Sequence, residues 1–532
     1  MKGEMDPLKR YFVTRPDALK STMCVSKKTL ELVPLSVKQL GPLLWLLVLA
    51  TCGLIIYHSG FNIPYYGDAF AYVYPEPRSR LLYYFVHRNP YHPFYRPVNS
   101  SILAFIQMFF GLSTWPVHLV NLSFHTLLAW LVYLFSMRVG LSKSRAMLGS
   151  VFMLFSQANA NAVLNNDTTS QITGTLFGCL TLWLLYLCYV EEKTTVRQVA
   201  RYKYYLWALL AFATALWSKE TSASFLLMVG VMLLVINWLK SKSYSVTAWA
   251  SGRDIIPFVA ATVGYVLTRH SLGLAGLRFG SDAYGIHFGF NVIDNFARAV
   301  FSAVVPVSSV TAFIAFGTHQ IVAAALIAIV SLTLLAFVLY RTWRAPEWRL
   351  FVLLFSFSIL ATLPALLMSH VSELYTYNSM PFFSVLTGAA LGDLVVAASG
   401  GSILRRLAAF AIVASLLVSF VIAINGKASL MFENGARAAR LLDEMTPELS
   451  KVPANGTLFL VSPSSKLGFS IYLRNGFHVF DRGENIIQQR AGRYDFKIVI
   501  LDVPINALPV QKDVLILVLD DDHINTLRTF PL

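Results

Sequence analysis

Long apolar runs alternate with short polar turns along most of the chain, and each run is close to the length that crosses a bilayer. Lipid gives backbone groups no water to bond, so a span must be a helix of roughly 20 apolar residues. The first run covers residues 41–58, and a long polar loop, 59–100, follows it. Residues 101–110 are apolar but too short to cross, which predicts an interfacial helix. A second span is predicted at 115–139. The third ends near 164 and the fourth near 190, with a short loop at 165–170 between them. The fifth leads to Ser218-Lys219-Glu220, the sixth returns to Lys240 and Lys242, and the seventh covers 255–267. A polar, Gly-rich loop occupies 270–291. Residues 291–316, with Asp294, Arg298 and Pro306, predict a re-entrant or interfacial helix pair. Spans at 321–340, up to 370–378, down to Arg405 and Arg406, and at 407–424 bring the total to about eleven.

From residue 425 the pattern is that of a soluble domain. Short β-branched runs at 457–461, 497–501 and 514–519 predict strands of a small α/β domain. The expected architecture is therefore a basic segment at 1–40, an all-α polytopic membrane domain at 41–424 and a small extracytoplasmic α/β domain at 425–532. Asp520-Asp521-Asp522 reads as a solvated loop or as a cation site. No internal repeat or low-complexity tract is evident.

Composition agrees. Of 532 residues, 56% are hydrophobic and 13% charged, where a soluble protein has about 25% charged residues. The net charge of +15 raises nucleic acid as a partner. Its distribution argues against one, because most basic residues sit in short segments between apolar runs, the signature of cytoplasmic loops. Lys2, Lys9, Arg10, Arg15, Lys20, Lys27, Lys28 and Lys38 put the N-terminus in the cytoplasm, so the first run reads as an uncleaved signal anchor. Lys143 and Arg145, Arg197 and Arg201, Arg253, and Arg341, Arg344 and Arg349 mark later cytoplasmic turns. The C-terminus is then outside. Of Cys24, Cys52, Cys179 and Cys188, none falls in an extracytoplasmic loop, so no disulfide framework is implied. Sequons at Asn99, Asn166 and Asn455 are compatible with a secretory-pathway membrane. The small C-terminal domain favours a bacterial inner membrane, with site and C-terminus in the periplasm.

Polar residues at span ends are costly unless they face a cavity, so they are candidate functional positions. The outer face gathers Asp68, Glu76, Arg96, His118, Asn121, His125, Asp167, Lys219, Glu220, Arg269, His270 and Glu373, while the cytoplasmic turns show Lys and Arg. Asp68, in an aromatic setting, reads as a proton acceptor or as a loop cap. Arg96 can clamp a phosphate or anchor the chain at the interface. His118, Asn121 and His125 share one helix face, which suits helix–helix hydrogen bonds or a metal, although no acidic ligand accompanies them. Lys219 suits an anionic ligand, and Glu220 can simply neutralise it. Arg269 repeats the theme, and Arg96, Lys219 and Arg269 together can meet one phosphate or pyrophosphate.

These features, in order, resemble the GT-C superfamily of membrane glycosyltransferases, especially the branch with protein O-mannosyltransferases and bacterial aminoarabinose transferases. The similar elements are Asp68, the Tyr-Arg-Pro turn at Arg96, the His118/Asn121/His125 face, Asn165-Asn166-Asp167, Ser218-Lys219-Glu220, Tyr265 with Arg269, and the loop with Ser372, Glu373, Tyr375 and Tyr377. They span about residues 41–400. Relatives often pair two acidic residues where Ala69 follows Asp68, and carry Arg where Leu374 stands here. The resemblance implies a polyprenyl-phosphate-linked sugar donor, with a protein, lipid or glycan acceptor outside the membrane. It implies Asp68 as general base, inversion at the anomeric carbon, and cationic stabilisation of the leaving phosphate by Arg96, Lys219 and Arg269. Glu76, His118, Asn121, His125, Asp167, Glu220, His270, Glu373, Tyr375 and Tyr377 would line the substrate. No cofactor is required; a divalent cation can share the charge stabilisation, but no ligand cluster demands one. A polyprenyl-linked glycan or lipid transporter is the competing reading, and a scaffold the third. A transporter places polar groups near the midplane, whereas this chain places them mainly at one face.

Overall fold

The computed structural model describes residues 37–74, 77–89, 94–190, 196–274, 285–369, 371–462, 472–473, 476–503, 513–520 and 523–528. Eight helices among them are long and apolar enough to cross a membrane: Leu40–Asn62, Trp115–Arg138, Thr169–Tyr189, Glu220–Ser241, Ile321–Arg344, Trp348–Leu366, Met380–Ser399 and Ile403–Leu449. A ninth candidate is the pair Lys143–Phe155 and Gln157–Leu164, bent by 45°. Two further helices, Val196–Ser218 and Tyr244–Ser271, have 23 and 28 residues but more polar sequences. These elements occupy the eleven positions expected from the hydropathy pattern.

Pro97–Phe110 is a helix of 14 residues with proline in its first turn, where a missing N–H costs nothing. Its length suits an interfacial helix. Residues 291–316 also form a helix pair, Phe290–Val304 and Ser309–Gly317, with Pro306 in the break.

Two helices approach at glycine. A Cβ on Gly388 would lie 2.2 Å from the Gly149 backbone nitrogen, so Met380–Ser399 and Lys143–Phe155 touch main chain to main chain. Small residues allow such contact, which recovers the dispersion energy that drives association in lipid. At the same end of the bundle Arg145 pairs with Asp393 at 2.5 Å and with Glu347 at 3.1 Å. The face opposite the polar cluster thus holds carboxylates as well as the Lys and Arg expected there.

The final long helix, Ile403–Leu449, has 47 residues. The composition change at residue 425 falls inside it. Polarity changes there because the helix leaves the lipid, while its backbone bonds continue. At 1.5 Å per residue it is about 70 Å long, more than twice the apolar thickness of a bilayer. Its C-terminal half packs on a four-stranded sheet with β1 Thr457–Val461, β2 Lys497–Leu501, β3 Val514–Asp520 and β4 His523–Arg528, ordered β2-β1-β3-β4. The first three strands coincide with the β-branched runs and are parallel; β4, unforeseen, returns antiparallel to β3. Asp520, opposite His523, closes that hairpin, and Asp521 and Asp522 lie outside the described residues.

Cys179 and Cys188 are buried and Cys52 is partly buried; Cys24 lies outside the described residues. Asn99 and Asn166 are buried, at 0% and 1% exposure, so in this fold neither sequon is accessible to glycosylation.

Candidate active site

Gly67 has φ +57°, a left-handed turn that glycine adopts without a Cβ clash. It opens the short 3-10 helix Gly67–Tyr72, with Asp68 in its first turn. The Asp68 carboxylate is partly exposed and lies 3.5 Å from Nε of Arg482.

Asp167 comes close to Asp68 from the loop between the Gln157–Leu164 and Thr169–Tyr189 helices. Its loop is pinned by the Asn166 side-chain amide, which donates to the Ile63 and Pro64 carbonyls at 3.2 Å, just before Asp68. Thr168 donates to the Ala162 and Asn165 carbonyls. Oδ1 of Asp167 is buried without a hydrogen-bond partner among the described residues. Burial, with the Asp68 charge close by, raises the Asp167 pKa above the ordinary carboxylate value, against the opposing pull of Lys219 and Arg96.

Arg96 caps the start of Pro97–Phe110 and grips Glu220 with two bonds, Nε to Oε2 at 2.9 Å and Nη2 to Oε1 at 2.5 Å. This fork-on-carboxylate geometry fixes the guanidinium plane. Its flank lies 4.3 Å from the Phe94 ring centroid, and it also interacts with Tyr72. Lys219 sits in the extended turn before Glu220, 2% exposed, with Nζ 5.6 Å from the Tyr375 ring centroid. Burial and the neighbouring Arg96 cation push its pKa well below that of an ordinary lysine. Arg269 approaches through Tyr265, with which it hydrogen bonds and whose hydroxyl donates to the Tyr95 carbonyl at 3.3 Å, beside Arg96. Nε of Arg269 is buried without a hydrogen-bond partner among the described residues. Three carboxylates, Asp68, Asp167 and Glu220, thus come together with four cations, Arg96, Lys219, Arg269 and Arg482, and Oδ1 of Asp167 and Nε of Arg269 have no hydrogen-bond partner among the described residues.

Asn378 links these segments. Its Oδ1 accepts from Gln171 and from Thr175, and its Nδ2 donates to Thr221 at 3.4 Å, so the Tyr375 turn is tied to the Lys219 turn.

The other candidates lie elsewhere. His118 bonds through Nε2 to the Ile63 carbonyl at 3.4 Å. Asn121 donates to the Asn165 carbonyl and accepts from Thr169. His125 faces the Tyr377 hydroxyl at 2.8 Å and the Leu154 carbonyl. This face therefore makes the helix-to-helix bonds that were one of its two readings, and it supports the loop below Asp167. Among the described residues no group of three or more His, Cys, Asp or Glu side chains is arranged to hold a metal. Glu373 turns away from the cluster into a buried pair with Lys427, Nζ to Oε1 at 2.7 Å and to Oε2 at 2.8 Å. His270 is exposed. Glu76 lies outside the described residues.

Three contributors were not foreseen: Tyr72, Arg482 and Lys427. Tyr72 follows Asp68 in an aromatic run that gave it no distinction. Arg482 lies in the soluble domain, with no motif around it. Lys427 sits three residues beyond the expected end of the last span, in a helix that continues.

Residues 91–261 match the family model described as dolichyl-phosphate-mannose-protein mannosyltransferase. No curated protein sequence matches. Among solved structures, ArnT from Cupriavidus metallidurans bound to undecaprenyl phosphate superposes with TM-score 0.51 at 13% identity, covering 90% of this chain and 93% of that one. Its apo form gives 0.50 at 11% identity with the same coverage. The Archaeoglobus fulgidus oligosaccharyltransferase tethered to an acceptor peptide gives 0.48 at 13% identity, covering 88% of this chain and 64% of that one. The chain has the fold of the GT-C membrane glycosyltransferases, and its residues 91–261 carry the sequence pattern of the dolichyl-phosphate-mannose-protein mannosyltransferase family.

Proposed function

We propose that this protein transfers a sugar from a polyprenyl-phosphate-linked donor to an acceptor outside the cytoplasm, inverting the anomeric carbon. The observation that carries the reading is the convergence of Arg96, Lys219 and Arg269 beside Asp68 and Asp167. A lipid phosphate needs cations when it leaves, and a hydroxyl acceptor needs a base. A transporter needs its polar groups accessible from both sides in turn, and this cluster lies at one end of the bundle. The ArnT structure with undecaprenyl phosphate supports a ligand of the same class here.

In this reading the donor's lipid lies among the spans, and its phosphate meets the three cations. Asp68 takes the acceptor's proton as its oxygen attacks the anomeric carbon. The bond from that carbon to the phosphate oxygen breaks on the opposite face. The lipid phosphate departs with its negative charge held by Arg96, Lys219 and Arg269. Asp167, whose buried Oδ1 is unpaired and whose proton affinity is raised, is the second candidate for the base. Asp68→Asn and Asp167→Asn, assayed separately, discriminate the two.

The chain crosses about eleven times with its C-terminus outside, in a bacterial inner membrane with the site facing the periplasm, and the acceptor is a protein, lipid or glycan there. Mass spectrometry of glycans and lipids from cells with and without the protein tests the reaction. Identical profiles, with the protein present in the membrane, would remove it. A reporter fused after Leu532 tests topology, and a cytoplasmic signal would invert the site.

A further inference from the structure

The segment between β1 and β2 reaches from the small domain onto the loop that holds Asp68. Phe480 stacks on Phe70 with centroids 5.9 Å apart. The Asn485 side-chain amide donates to the Phe70 carbonyl at 2.8 Å and the Val73 carbonyl at 3.0 Å. Arg482 lies between these two anchors, with Nε 3.5 Å from Asp68 Oδ1 and its guanidinium 5.8 Å from the Phe94 ring centroid. Its φ of +59° is costly for a residue with a side chain. Its Nη1 is buried with no hydrogen-bond partner among the described residues. The turn is braced, however. His478 binds Asp481 at 3.1 Å through Nδ1 and Asp502, just past β2, at 2.5 Å through Nε2. Backbone bonds run from Asp481 to His478 and from Gly483 to Phe480. Strain held in place by so many contacts points to a function for the side chain it presents.

We propose that Arg482 is a positioning residue for the reaction: the small domain supplies it to hold the Asp68 carboxylate in place. This rests on the glycosyl-transfer reading above. Asp68 and Asp167 are close enough to influence each other's protonation. Two neighbouring carboxylates favour one shared proton. Arg482 is the cation set against Asp68, while Arg96 and Lys219 act on Asp167. Arg96, held in place by Glu220, and Lys219 lie on the Asp167 side and face the donor phosphate in this reading. The small domain is then part of the catalytic site.

The test uses the full-length protein in detergent, with Arg482→Gln and Arg482→Lys. Carbodiimide with an amine nucleophile labels accessible carboxyl groups, and peptide mass spectrometry reads Asp68. The clamp predicts labelling about threefold or more faster in Arg482→Gln and close to the parent rate in Arg482→Lys, as expected when a charge-assisted contact is lost or kept. Product formation falls about 10-fold to 100-fold in Arg482→Gln and recovers in Arg482→Lys. Thermal stabilisation by undecaprenyl phosphate, the probe for the donor site, stays unchanged in both. Equal Asp68 labelling in all three proteins overturns the clamp, and so does a loss of undecaprenyl phosphate binding in Arg482→Gln. A labelling difference with no product from the parent protein supports the clamp and overturns the transfer reading on which its catalytic role rests.

Discussion

At the scale of single residues, the proposed proton acceptor and the proposed phosphate cradle are different groups, and each can be removed alone. Asp68→Asn keeps the shape of the side chain and removes its basicity. Product formation is expected to fall about 10²-fold to 10⁴-fold, with the protein still folded and inserted; full activity would take Asp68 out of the mechanism. Lys219→Ala removes one proposed charged partner of the phosphate. A charge-assisted bond of about 1.5–3 kcal/mol corresponds to roughly 10-fold to 100-fold weaker undecaprenyl phosphate binding. Lys219 also sets a pH dependence. Its pKa is lowered by burial and by Arg96, so it loses its proton at lower pH than an ordinary lysine. An anion binds the protonated form better, so affinity for undecaprenyl phosphate should fall as pH rises through that titration, and the bound anion should draw a proton onto the lysine. Titration calorimetry at several pH values measures both, and Lys219→Arg, which stays protonated, should flatten the dependence. An affinity that ignores pH would place the phosphate elsewhere.

At the scale of elements, most of the bundle was legible because hydropathy and charge act locally. Each span needs about 20 apolar residues and each inner turn tends to be basic. That information lies within a single window of sequence, which is why the positions of the long helices and of three strands could be read. What was hidden depends on contacts across the chain. Glu373 was legible as a polar residue at a span end, but its partner Lys427 is 54 residues away. The His118 face was legible as a polar stripe, but only the fold reveals that backbone carbonyls and Tyr377 occupy it. The Gly149–Gly388 contact is of the same kind, two unremarkable glycines 239 positions apart in sequence (388 minus 149). It makes a sharp prediction. Gly388→Val must push backbone rather than a flexible side-chain end, so it should destabilise the membrane domain by about 1–3 kcal/mol or more. Thermal unfolding in detergent reads this. Gly400→Val, where a Cβ meets nothing within 4 Å, is the control.

At the scale of the whole molecule, one buried node joins the small domain to the bundle. Lys427, on the last long helix and 0% exposed, donates to both Glu373 oxygens, to the Gln157 carbonyl at 2.9 Å and to the Gln157 side chain. Ser309, at the start of the second helix of the 290–317 pair, donates to Glu373, and the Tyr472 hydroxyl lies 3.5 Å from it. The bend between Lys143–Phe155 and Gln157–Leu164, the helix pair, the Tyr375 turn and the helix leading to the small domain therefore share one charge pair. A buried pair of this kind contributes little net stability against an apolar substitute, but removing one partner strands the other. Lys427→Met should lower stability by about 3–5 kcal/mol, because Glu373 is left ionised and unpaired or must take up a proton. The double variant Lys427→Met/Glu373→Gln should recover much of the loss, since no uncompensated charge remains. Recovery would separate the charge from the packing. The double variant also tests what the node is for. Glu373 begins the turn that sets Tyr375 beside Lys219, so a double variant that refolds with a loosened turn should regain its unfolding midpoint while its affinity for undecaprenyl phosphate stays reduced. Full recovery of both would reduce the pair to a structural tether, and a Lys427→Met variant as stable as the parent would mean that Glu373 finds another partner.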